Sequence, residues 1–260
     1  MGGFGRKCKK VRFLMALTVL IASVGNTAHA QNLRLGATYR DHVIVADRSV
    51  PLLDGEWTVV AVEESRSSKG SGDIEQVYLA QMAGNRLSRW IHIATNEEWN
   101  SGGWGRNKHI CDRKDVHAGY SDSSNKPKDS ECWVLNHAGQ TLGKNPPQAS
   151  IDFYRWSDSR GRPNMALALS YYLEKRGDFV RADYYFNPVV AGFRDTGGAG
   201  WRGSPWHADI ASKDEKKLAY LRELKATARR SRAGPSPNRC AARPSNRPAR
   251  SPPRRRAARR

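Results

Sequence analysis

Between Cys111 and Trp133 the chain runs CDRKDVHAGYSDSSNKPKDSECW, the densest gathering of chemically capable side chains in the sequence. His117 lies inside it, His109 and His137 flank it, and Asp112, Asp115, Asp129 and Glu131 supply carboxylates. Two histidines and a carboxylate can hold a metal ion with one position open to water, and a histidine–aspartate pair can move a proton. His117, His137, Asp112 and Asp115 are therefore the catalytic candidates, and His109, His117 and His137 the metal-ligand candidates. Against both, the chain has no His-Glu-x-x-His, Cys-x-x-Cys or Gly-x-Ser-x-Gly. The spacing Cys111-x20-Cys132-x4-His137 fits no zinc finger, and histidines in polar loops are most often simply solvated. No cofactor is expected.

The two cysteines have a plainer chemistry. In an oxidising compartment Cys111 and Cys132 pair, closing a loop whose chain-entropy value is about 3 kcal/mol, and Cys240 is left over. The tryptophans offer a third possibility. Trp99, Trp104, Trp201 and Trp206 fall in Gly-rich segments and Trp133 begins a strand-like run. Aromatic side chains held in loops on a β scaffold can line a cleft for a small ligand, so these five are the ligand-binding candidates. The competing role is to cover the open ends of a β core.

The elements that must position these groups are mostly strands. Asp41–Val45 and Glu56–Val62 are rich in β-branched and aromatic residues, and Pro51–Gly55 is a turn between them. Ile74–Met82 and Arg86–Thr95 flank Gly84-Asn85, a two-residue hairpin turn. In the second segment Leu87, Arg89, Ile91 and Ile93 alternate with Ser88, Trp90, His92 and Ala94, which predicts one buried and one mixed face. Asn96–Glu131 has no sustained period and needs the disulfide to order it. Cys132–Asn136 is a strand, and Gln148–Trp156 after Pro146-Pro147 a helix candidate. Met165–Leu173 alternates and returns through Phe179–Phe186 after a turn at Gly177-Asp178. A helix over 212–228 follows, with Ser212 and Glu215 as capping box and Leu218, Leu221 and Leu224 as its apolar stripe.

Charge divides along the chain. The formal net charge of +19 suggests nucleic acid, but residues 1–30 hold 5 basic residues and 229–260 hold 12, with no acid in either. That leaves 27 of the 44 basic residues against all 25 acidic ones over 31–228, so the folded part is nearly neutral. The start resembles a secretory signal: Arg6, Lys7, Lys9, Lys10 and Arg12, an apolar run from Phe13 to Val24, then Ala28-His29-Ala30. Cleavage before Gln31 and a periplasmic or secreted destination are expected, with no transmembrane segment after processing. Residues 229–260 are Pro/Arg-rich and too poor in apolar side chains to fold, so a disordered tail is expected; its partner would be an anionic surface, not a specific nucleic acid.

Gly55-Glu56-Trp57, opening an early strand, resembles the Gly-x-Trp entry of lipocalins. That resemblance implies a small apolar ligand inside a barrel, with Trp57 packed at its closed end. The expectation for residues 31–228 is one mainly β domain (α+β at the margin), an antiparallel sandwich or barrel with a C-terminal helix. The favoured function is an exported, non-enzymatic protein that binds a small ligand or an exported partner through its Trp-rich and disulfide loops. The alternatives are a hydrolase or metal-dependent enzyme using the His117/His137 neighbourhood, and a lipocalin-like carrier.

Overall fold

The structure, a computed structural model, describes residues 33–66, 72–122, 129–195 and 200–233. The expected signal segment, Cys240 and most of the expected tail lie outside them. Eight antiparallel strands form one sheet: β1 (Thr38–Tyr39), β4 (Trp57–Arg66), β5 (Asp73–Ala83), β6 (Arg86–Asn96), β7 (Ala118–Ser121), β8 (Asp129–Gly139), β9 (Met165–Lys175) and β10 (Asp178–Phe186). Their order is β1-β4-β5-β6-β10-β9-β8-β7, and a separate hairpin pairs β2 (His42–Val45) with β3 (Arg48–Pro51). The mainly β expectation holds. The sheet is not closed, because its outermost strands β1 and β7 do not pair, so the barrel form and the enclosed cavity implied by the lipocalin likeness are corrected.

Side-chain alternation gives the sheet two different faces. The first carries Trp57, Val59, Val77, Leu79, Ile91, Ile93, Leu135, Leu167 and Leu169, covered by Val43, Val45 and Val50 of the small hairpin and by Trp206, Ala211, Leu221 and Leu224 from the C-terminal segment. The second face carries two smaller clusters. Helix α2 (Gln148–Asp158) lays Ala149 and Phe153 against Tyr78, Ala80 and Trp90, while Ile110 and Cys111 of α1 (Lys108–Cys111) pack with Cys132, Val134, Tyr172 and Phe179. Both faces are buried, not one as the alternation of β6 predicts. A bulge explains part of the difference: Gln81 opposes Arg89 and Met82 opposes Leu87, leaving Ser88 unmatched and turning Leu87 to the second face beside Trp90.

Two turns and one helix start differ from expectation for local reasons. The β9–β10 turn is Arg176-Gly177, both at positive φ, and Asp178 already pairs with Lys175. A Cβ on Gly177 would collide with Asn100 O, so the residue must be glycine where the Trp99 loop crosses the hairpin. Strand β3 replaces the start of the expected Pro51 turn, because Ala46 and Asp47 both adopt positive φ without a Gly or Asn to signal it. At the C-terminus, short α4 (Ala208–Ala211) precedes α5 (Glu215–Ala233), with α3 (Gly200–Gly203) earlier in the same segment. The cap of α5 is Asp214, whose Oδ1 accepts from Lys217 N at 3.1 Å, while Ser212 closes α4. Leu221 and Leu224 reach the core; Leu218 is only half-buried.

Candidate functional site

Cys111 and Cys132 form a disulfide with Cα atoms 5.3 Å apart, tying α1 to β8 on the second face. Ahead of α1, the backbone N–H groups of Trp104 and Gly105 both donate to Glu174 Oε1, at 2.6 and 3.1 Å, and Gly105 O accepts from Tyr172 Oη at 2.7 Å. The segment the sequence leaves patternless is therefore fastened to β9 on one side of α1 and to β8 on the other. Between the two fastenings lies a cleft of about 350 Å3 lined by Trp104, Gly105, Arg106, Asn107, Lys108, His109, Tyr172 and Phe179. Trp104 tilts against Phe179 with ring centres 4.8 Å apart, giving an apolar floor. Arg106 is held by Asp112, Ser121 and the Asp122 carbonyl, whereas Lys108 and His109 stand exposed at the rim.

The other sequence candidates divide between two further places. His117 and His137, on the first face at the β7–β8 edge, lie 6.4 Å apart, and His207 comes within 5.8 Å of His137. His117 Nε2 meets Trp206 O at 2.9 Å and His137 Nε2 meets Trp201 O at 3.0 Å. A carbonyl only accepts, so each Nε2 carries the proton and is committed to the backbone of the α3–α4 segment. Trp201 stacks on His137 at 3.7 Å and has the Arg113 guanidinium 4.4 Å from its ring. Arg113 in turn chelates Asp115, drawing that carboxyl down to about 2. Burial pushes His137 down to about 4, with the Trp201 carbonyl opposing and the charges of His117, His207 and Arg113 adding to the drop. This is a strap: imidazoles, indole and guanidinium lash the C-terminal segment to the sheet edge.

His109 is at the cleft and Asp112 is paired with Arg106, so the structure does not bring them to His117 and His137. Among the described residues, no three or more His, Cys, Asp or Glu side chains are arranged to hold a metal ion. Nor do the tryptophans converge. Trp133 and Trp206 are core, Trp201 belongs to the strap, and Trp99, 58% exposed, gives its indole N–H to Arg176 O at the hairpin turn. Of the five, Trp104 alone lines the cleft.

One constellation is absent from the sequence candidates. On the second face the register sets Tyr78, His92, Asp183, Ser170 and Val134 directly opposite one another across β5, β6, β10, β9 and β8. The next rung is Gln76, Ala94, Arg181, Tyr172 and Cys132, so Arg181 neighbours the cleft's Tyr172. Arg181 Nη2 lies 2.7 Å from Asp183 Oδ2, His92 Nδ1 is 3.8 Å from the same oxygen, and His92 Nε2 is 3.1 Å from Gln76 Oε1. The Tyr78 ring stacks on His92 at 4.4 Å, and its hydroxyl meets Ser150 Oγ of α2 at 2.9 Å. Burial lowers the pKa of His92, with Asp183 opposing; it also works against the Asp183 carboxylate, but the Arg181 charge prevails and holds that group at about 2. The only sequence signal was a histidine, an arginine and an aspartate at interior positions of strand-like runs. Comparison of the chain with protein-family models, with characterised proteins and with solved structures finds no match.

Proposed function

We propose that this is an exported, non-enzymatic protein that binds a small ligand in the cleft beside the disulfide. The observation that carries the reading is the cleft itself: about 350 Å3, within the range of small-molecule sites, with Trp104, Tyr172 and Phe179 as floor and Lys108 and His109 at the rim. A flat apolar body would lie on that floor, and a negative group would face the rim. The commitment of His117 and His137 to backbone carbonyls supports binding over catalysis at their position. Fluorescence titration of the exported protein with saccharides, fatty acids, aromatic acids and peptides tests this. One class should change the tryptophan emission saturably, and Trp104→Ala should abolish the change while the protein stays folded. A response that survives Trp104→Ala, or no response to any class, overturns the reading.

A further inference from the structure

Three imidazoles meet at the strap. His137, buried on β8, has the ring of His117 6.4 Å away and that of His207, at the head of α4, 5.8 Å away. His117 and His137 hold the backbone of the α3–α4 segment through Trp206 O and Trp201 O, and the Trp201 ring stacks on His137. Helices α3 and α4 have four residues each, too few to stand without tertiary contacts. The segment therefore stays down only while these contacts and the buried Trp206 side chain keep it there.

A proton added to either ring leaves its bond to the carbonyl intact, since Nε2 already donates. What changes is the charge, and the groups around the rings offer it no partner. Arg113 is a cation 4.4 Å from the Trp201 ring, Asp115 is already chelated by Arg113, and Lys217 of α5 lies 5.7 Å over Trp206. Asp209 is 3.6 Å from His207 Nδ1, but its side chain is 89% exposed and its pull is weak in water. Asn136 Oδ1 lies 3.1 Å from His137 Nδ1, yet it is neutral and already accepts from the His137 N–H at 2.9 Å. Burial first, and then the neighbouring imidazoles, oppose charge on both rings, and lifting the segment is what returns them to water.

We propose that the strap is an acid-operated latch: charging His117 and His137 lets residues 200–213 lift off the sheet edge while the sheet stays folded. The open form uncovers apolar side chains of the first face that Trp206 and Ala211 cover in the closed one. The device is independent of the cleft, which lies on the other face. With His137 held at about 4 when closed and at its ordinary 6.5 when solvated, that ring alone raises the open population about fiftyfold between pH 7 and 4.5.

Hydrogen exchange of the protein at those two pH values, corrected for the pH dependence of the exchange chemistry, reads the latch directly. Opening over residues 200–213 should rise at least tenfold at the lower pH, reverse on neutralisation, and leave β5 and β6 unchanged. His117→Gln with His137→Gln keeps a side-chain N–H for each carbonyl but cannot charge, so the rise should vanish. Should that double variant stand open at both pH values, His117→Gln alone carries the test and should cut the rise at least twofold. Equal opening at both pH values in wild type, a rise shared equally by β5 and β6, or a rise that the substitutions leave unchanged overturns the proposal.

Discussion

At the sheet edge, His117 and His137 give their protons to the carbonyls of Trp206 and Trp201; at the sheet centre, His92 lies among Gln76, Asp183 and Tyr78. The two regions draw on the same residue types, histidine, aspartate, arginine and a large aromatic, and differ in what completes their hydrogen bonds. In the strap the partners are mainly backbone: Asn136 Nδ2 gives to Asp115 O, Asn136 Oδ1 accepts from the His137 N–H, and the imidazoles close on loop carbonyls. Such a network is finished and holds a segment in place. In the central row the partners are side chains from four strands, with Arg181, His92 and Ser170 all directed at the Asp183 carboxylate. Removing one member of such a row leaves the others buried without a partner.

The widest gap between the regions should appear on removing one acid from each. Asp183→Ala strips the counter-charge from an arginine packed among Tyr78, Tyr185 and His92, and should destabilise the protein by about 3 kcal/mol, somewhat less than for a wholly buried pair because Arg181 reaches solvent. Asp115→Ala removes an exposed partner of Arg113 and should cost no more than about 1 kcal/mol. Urea unfolding of the two variants checks this, and equal losses would mean the central row is no more demanding than the strap. Cys111→Ser with Cys132→Ser comes next, with about 3 kcal/mol expected from the restored freedom of the denatured loop. The damage should centre on the cleft: hydrogen exchange should rise over residues 104–117 and stay unchanged in β5 and β6.

These contrasts also mark what could be read from the residues alone. Hairpin β5–β6 was legible because Gly84 supplies a positive φ between two alternating runs, and the disulfide was legible because, on the expectation of an oxidising compartment, pairing is the economical fate of Cys111 and Cys132. The β2–β3 hairpin was not, since Ala46 and Asp47 take a conformation that their side chains do not favour. The central row was hidden for a different reason. His92 and Asp183 are far apart in sequence and meet only through the register of β6 against β10, which local patterns do not encode. Tryptophans misled in the same way: Trp133 and Trp206 share a composition signal with Trp104, and only packing separates core from cleft.

A different kind of effect, a slope with pH, belongs to the strap. His137 is held at about 4 in the folded protein against an ordinary 6.5, so the unfolded chain takes up the proton first as pH falls. Stability should therefore decline from about 6.5 toward about 4 and lose nothing more from this group below that window. His117, lowered for the same first reason, burial, adds to the decline. His137→Phe keeps a ring against Trp201 but leaves the Trp201 carbonyl without its donor, costing about 1 kcal/mol at neutral pH and flattening the slope. Asp115 acts in a separate window, because a carboxyl held at about 2 loses its contribution only as pH drops below its ordinary 3.8. Chemical unfolding from pH 7.5 to 3 of wild type and His137→Phe separates the two. A slope between 6.5 and 4 that survives the substitution would fall to His117 or to the buried His92, whose lowered pKa values give the same sign.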